Sequence, residues 1–149
     1  MSIDLILEQL GKLHLITLHF PIVLILLTPL IMALSTFSSG RFWVQAIPYF
    51  VHAASLSALV VTILGYLLAV ERVPLEGALY WHRFFGTAAT AAILPASLFL
   101  LFKKLDLGRR IPVLLWTLVL AAALLVQLAG HFGGISVHGD ILILFAAAE

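Results

Sequence analysis

The sequence predicts an all-α integral membrane protein: an antiparallel up-and-down bundle of four transmembrane helices preceded by a short interfacial helix. Three observations predict it. Hydrophobic residues make up 63% of the 149-residue chain and charged residues only 10%, against roughly 45–50% and about 25% in soluble domains. Stretches free of Lys, Arg, Asp and Glu cover 13–40, 42–70, 84–102 and 111–139, and a helix needs about 20 mostly apolar residues to cross the hydrocarbon layer. The connections between these stretches are short, which makes successive helices antiparallel neighbours.

The elements follow in order. Residues 2–10 place Ile3, Ile6, Leu7 and Leu10 on one helical face opposite Asp4 and Glu8, as in a short helix lying on the membrane surface. The first span runs over about 13–36 and ends at Ser38-Ser39-Gly40. Pro21 and Pro29 inside it predict a bent helix, since lipid-embedded prolines are tolerated where neighbours re-satisfy the freed carbonyls. The second span covers about 47–70, with Pro48 in its first turn, where a missing N–H costs nothing. A polar turn at 71–77 leads to the third span, about 80–102, closed by the basic 103–110 segment. The fourth span, about 112–131, opens at Pro112 and gives way to a glycine-rich C-terminal loop over 132–149. The apolar 141–148 stretch is too short to cross. No internal repeat stands out, and the chain forms one domain.

Composition also excludes several classes. With no cysteine the chain cannot form disulfides, iron–sulfur clusters or thioether-linked haem. A net charge of +1 carries no signal for nucleic acid. The acidic start lacks the basic region of a secretory signal, so the first span is expected to be retained. Arg41, Lys103, Lys104, Arg109 and Arg110 lie on one side of the predicted bundle, against Lys12, Arg72 and Arg83 on the other. The positive-inside bias then puts the first side in the cytoplasm and both termini in the periplasm, with the protein in the inner membrane.

Six histidines carry the functional signal, because ionisable side chains at membrane depth are costly and read by default as functional. His14, His19, His82, His131 and His138 fall at one edge of the predicted bundle. His14 and His19 are five helical steps apart, about 140° around the axis, so they point to different faces. His19 lies deeper, without a charged neighbour. His14, near the interface, reads equally as a snorkelling surface residue. His82 follows Tyr80-Trp81 and precedes Arg83, and Gly86 one turn on leaves a gap that suits either a flat cofactor or close helix packing. Arg83 could meet a haem propionate or a lipid phosphate, and Arg72 and Lys12 are further candidates for propionates. His131 and His138 bracket Gly133-Gly134, with Asp140 near enough to orient His138 as a carboxylate orients a ligating imidazole. His52 sits alone at the opposite side and reads as an interhelical hydrogen-bonding residue. Imidazole binds haem iron, copper and zinc alike. His14, His19, His82 and His138 are the candidate metal ligands, and Arg83, Gly86 and His131 complete the candidate cofactor-binding set.

The segment 13–22, Leu-His-Leu-Ile-Thr-Leu-His-Phe-Pro-Ile, resembles the first span of a family of small bacterial membrane proteins of unknown function that opens His-Pro-x-x-Val-His-Phe-Pro-Ile. His14, His19, Phe20, Pro21 and Ile22 fit that pattern, whereas Leu15 stands for its proline and Leu18 for its valine. His82 before Gly86, and Gly133-Gly134 before His138-Gly139, extend the resemblance over most of the chain. It implies a non-covalent b-type haem and company with c-type cytochromes in respiratory chains.

The expected function is a b-type cytochrome-like electron-transfer subunit of a respiratory or photosynthetic complex, without bond-making chemistry of its own. One or two haems b would lie near the periplasmic face, with His19 and His82 the favoured pair and His14 with His131 or His138 a second. Electrons would pass between quinol or a neighbouring membrane subunit and a periplasmic c-type cytochrome. Two alternatives stay open: a cofactor-free structural or assembly subunit, and a small histidine copper or zinc site.

Overall fold

A computed structural model describes residues 3–37, 41–69, 76–103 and 111–139. Residues 1–2, the 38–40 segment expected to end the first span, 70–75 with Arg72, the basic 104–110 and 140–149 with Asp140 lie outside the described residues. Five helices account for nearly all of the rest: α1 (Ile3–Thr17), α2 (His19–Phe37), α3 (Arg41–Ala69), α4 (Gly77–Lys103) and α5 (Val113–His138). No strand occurs among the described residues.

The N-terminal boundary differs from the sequence expectation. The first helix does not stop at residue 10 but runs on to Thr17, and the break falls at Leu18. Gly11 is no helix terminator. It is buried where α1 crosses α3, and a Cβ there would come within 2.6 Å of the Leu68 backbone. Close approach, not backbone freedom, is what Gly11 supplies. The break belongs to Pro21, which has no N–H to offer the Thr17 carbonyl and so suits the first turn of a new helix.

Two more boundaries move. The second span begins at Arg41, so Pro48 lies well inside α3 rather than in its first turn. Pro29 and Pro95 likewise sit inside α2 and α4. The fourth helix keeps Pro112 at its start, where the Pro112 carbonyl accepts the N–H groups of Leu115 and Trp116. It then continues through Gly133 and Gly134 to His138, where a loop was expected. A helical glycine costs about 1 kcal/mol relative to alanine, but leaving backbone groups without partners in an apolar medium costs more per group. Gly139, with φ +75° and its N–H on the Ile135 carbonyl, ends the helix at a positive φ that glycine adopts without strain.

Helices α2, α3, α4 and α5 form a closed ring in which each packs on the next and α5 returns to α2, while α1 lies against α3. Ile25, Met32, Ile47, Val51, Ile93, Leu115 and Val119 fill the centre. Alanines at 54, 58, 89, 96, 122 and 129 are also buried, which allows close backbone approach. Between α3 and α4, polar side chains join the helices directly. Ser55 Oγ donates to the Ile93 carbonyl at 3.0 Å, Thr62 and Thr90 hydroxyls meet at 2.8 Å, and His52 Nδ1 lies 2.7 Å from Ser97 Oγ. Outside, large apolar residues such as Leu30, Leu56, Leu98, Leu120 and Leu124 are exposed along the helices. Four helical segments, Leu5–Phe37, Arg41–Leu68, Gly77–Phe102 and Val113–His138, are long and apolar enough to cross a membrane. They support a multi-pass membrane protein.

Candidate functional site

The site forms where α1 and α4 bring a histidine each to the same end of the bundle. His14 is in the last turn of α1 and His82 near the start of α4. Both are half-buried. Their ring centroids are 6.2 Å apart and their planes almost perpendicular, at 87°.

Each imidazole is held in the same way. His14 Nδ1 lies 2.8 Å from the Val61 carbonyl of α3, and His82 Nδ1 lies 2.8 Å from the Ala129 carbonyl of α5. A carbonyl can only accept, so Nδ1 carries the proton in both rings. In the neutral imidazole Nε2 is then the nitrogen with the free lone pair. A ring N–H donated to a backbone carbonyl is the arrangement that fixes tautomer and orientation in metal-ligating histidines and raises their basicity.

Those two carbonyls belong to α-helices, where each also accepts the N–H four residues on. The residues four on are Gly65 and Gly133. A Cβ leans toward the helix N-terminus, so a side chain at either place would cover the carbonyl that the histidine uses. A Cβ on Gly65 would meet the His14 ring at 2.9 Å, and one on Gly133 would meet His82 Nδ1 at 2.8 Å. Glycine at these positions opens the helix surface to an imidazole from its neighbour.

Beside His82 stands an aromatic wall. Trp81 stacks on Phe85 at 5.7 Å and Phe85 on Phe132 at 5.6 Å. Arg83 places its guanidinium 4.4 Å from the centre of the Tyr66 ring, and Tyr66 reaches the Thr87 hydroxyl at 3.1 Å. Its charge therefore lies beside the pair, on the α3–α4 side.

The other candidates fall elsewhere. His19, at the start of α2 and across the break from His14, is exposed. His131 is exposed and meets Phe132 edge-on at 5.4 Å. His138 is exposed at the end of α5. Gly86 faces Ala129, whose Cβ would lie 4.0 Å from an added methyl group. That is ordinary packing between α4 and α5. Gly65 and the two carbonyls were not among the residues singled out in the sequence, and Gly133 was read there as part of a loop rather than as a partner of His82. The signal that could have found them is a glycine four residues after a helical carbonyl that faces a histidine, and that needs the helix pairing.

Among the described residues no group of three or more His, Asp or Glu side chains is placed to hold a metal ion. Comparisons of the chain with known protein families, with curated proteins and with solved structures found no match.

Proposed function

We propose that this protein is a membrane-embedded b-type cytochrome-like electron-transfer subunit, an antiparallel four-span bundle holding one haem b through His14 and His82. The observation that carries this reading is the facing pair of imidazoles, each with Nδ1–H anchored on a helix carbonyl and Nε2 left as the coordinating nitrogen. Two imidazoles that held one metal between them would each need a metal–nitrogen bond of about 2 Å, and with about 1 Å more to each ring centre their centroids would stand about 6 Å apart. The rings of His14 and His82 stand 6.2 Å apart.

The number of ligands favours haem over a bare ion. A zinc site takes three or four protein ligands, whereas a porphyrin brings four nitrogens of its own and asks the protein for one or two. The pairing proposed is thus His14 with His82, in place of the expected His19 with His82. Haem would supply one-electron redox chemistry. The chain's own residues orient both imidazoles, screen one side with the Trp81–Phe85–Phe132 wall, and put the Arg83 charge within reach of a carboxylate. A quinol or neighbouring membrane subunit as donor and a periplasmic c-type cytochrome as acceptor complete the proposal. The inner membrane is its location and the periplasm the side of both termini.

One observation favours a second reading, a cofactor-free structural subunit. The His52–Ser97, Thr62–Thr90 and Ser55–Ile93 bonds join α3 to α4 directly through polar side chains, as a structural subunit would need. The test is the absorption spectrum of the purified protein, oxidised and dithionite-reduced. A low-spin haem spectrum is expected, lost or converted to high spin in His14→Ala and in His82→Ala and retained in His52→Ala. A wild-type protein that stays colourless after hemin is supplied overturns the haem reading in favour of the structural one.

A further inference from the structure

The two histidine clips share one register. His14 pairs with the Val61 carbonyl and Gly65, and His82 with the Ala129 carbonyl and Gly133. The residue numbers differ by 68 in each case (14 and 82, 61 and 129, 65 and 133). Burial follows the same shift. Every buried residue of α3 has a buried counterpart in α5, among them Ile47 with Leu115, Val51 with Val119, and Ala54 with Ala122. In α2 and α4 four buried pairs match, Pro21 with Ala89, Ile25 with Ile93, Thr28 with Ala96 and Met32 with Leu100, whereas the buried Ile31, Thr90 and Ser97 fall on the partly buried Phe99, Ile22 and Pro29. No gap interrupts the register, and in sequence it also aligns Gly40-Arg41 with Gly108-Arg109.

Chance agreement among Leu, Val and Ala is expected in any pair of apolar helices. Agreement of histidine, glycine and the hydrogen bond between them is not. The remaining histidines have no counterpart: the shift takes His19 to Thr87, His52 to Leu120 and His131 to Ile63. The ring of helices fits the same relation. The α2–α3 contact corresponds to α4–α5, and α3–α4 corresponds to α5–α2. An axis running along the bundle relates the halves, the arrangement of parallel repeats in membrane proteins.

We infer that the chain is a tandem duplication of one helical hairpin and that His14 and His82 are the two equivalent axial ligands of a single metalloporphyrin on its internal two-fold axis. In its ligand this rests on the haem reading; in its symmetry it does not. Each half supplies one imidazole, one orienting carbonyl and one glycine, so neither half completes the site alone. The axial ligands are chemically alike, and the two glycines are positioning residues of equal standing.

The test uses the full chain in lipid nanodiscs, in two arms. In the haem-free protein labelled with ¹⁵N-histidine, His14 and His82 should both show the Nδ1–H tautomer, and Gly65→Ala and Gly133→Ala should each disturb the tautomer signal of their own histidine. Opposite tautomers at His14 and His82 would overturn the two-fold relation whatever binds there. In the second arm hemin is titrated. His14→Ala and His82→Ala should weaken binding by similar factors, within about threefold of each other, and added imidazole should restore the low-spin spectrum in both. Loss confined to one of the two variants would overturn the equivalence. No hemin uptake by the wild-type chain would overturn the metalloporphyrin as ligand, and the imidazole signals would still decide the symmetry.

Discussion

Gly133 and Gly134 are adjacent in α5, yet alanine should act in opposite directions at the two. Alanine in a helix interior gains about 0.8–1.0 kcal/mol over glycine, and that gain is common to both positions. At Gly134 nothing lies within 4 Å of the added carbon, so Gly134→Ala should stabilise the protein by about that amount. At Gly133 the new methyl group would stand 2.8 Å from His82 Nδ1, and the imidazole must leave the Ala129 carbonyl. A buried polar group that loses its hydrogen bond costs about 1–3 kcal/mol. The two neighbouring variants should therefore differ by about 1–3 kcal/mol, with Gly133→Ala the less stable. Reversible unfolding in mixed micelles, followed by tryptophan fluorescence, measures the difference. A double-mutant cycle isolates its cause: in a His82→Ala background, Gly133→Ala should lose its penalty. Equal stabilisation by the two alanines in the wild-type background would refute the packing of His82 on Gly133.

Two other outcomes are expected. Cysteine introduced at Ser39 or Leu107 should resist labelling from outside intact cells while cysteine at Ser2 is labelled, if the positive-inside bias sets the orientation as proposed; the opposite pattern would invert the bundle. Acid-acetone should extract all pigment from the chain, since no cysteine exists to form a thioether link, and colour that stays with it through denaturing electrophoresis would refute non-covalent attachment.

The four long apolar helices were legible in the sequence because hydropathy alone reports them, and four segments of the fold match the four stretches found. Helix ends were less legible. Gly133 and Gly134 looked like punctuation, the role glycine plays in water, whereas they lie inside α5 and Gly133 provides close approach to His82. Pro48 misled for the same reason: a proline in an apolar helix need not mark its start. In the site, the sequence reading took His14 and His19 as residues of one helix, whereas they lie on α1 and α2 and which of them faces inward depends on the break at Leu18 and on where α1 meets α3. The 68-residue register stayed hidden because apolar helices blur identity. Only the paired histidines, glycines and carbonyls make it visible.

The energies at the two histidine clips bear on which function explains them. A hydrogen bond between membrane helices averages about 0.6 kcal/mol. The Val61 and Ala129 carbonyls already hold their helical N–H partners, so losing the imidazole strands no acceptor in either helix. Against the bond stand a glycine in each accepting helix, at about 1 kcal/mol relative to alanine, and the cost of an imidazole among apolar neighbours. Judged as a device for stability, each clip is a net loss, and leucine packed on alanine would hold α1 to α3 or α4 to α5 better. The bonds between α3 and α4 differ, because Ser55, Thr62 and Thr90 need no glycine opposite them and fit a purely structural role. What the clips provide instead is orientation: a ring nitrogen fixed as donor, the other fixed as lone pair, and two such rings brought face to edge 6.2 Å apart. Orientation of that kind is what a ligand held by both rings would require, and it is the ground on which the haem proposal stands ahead of the structural one.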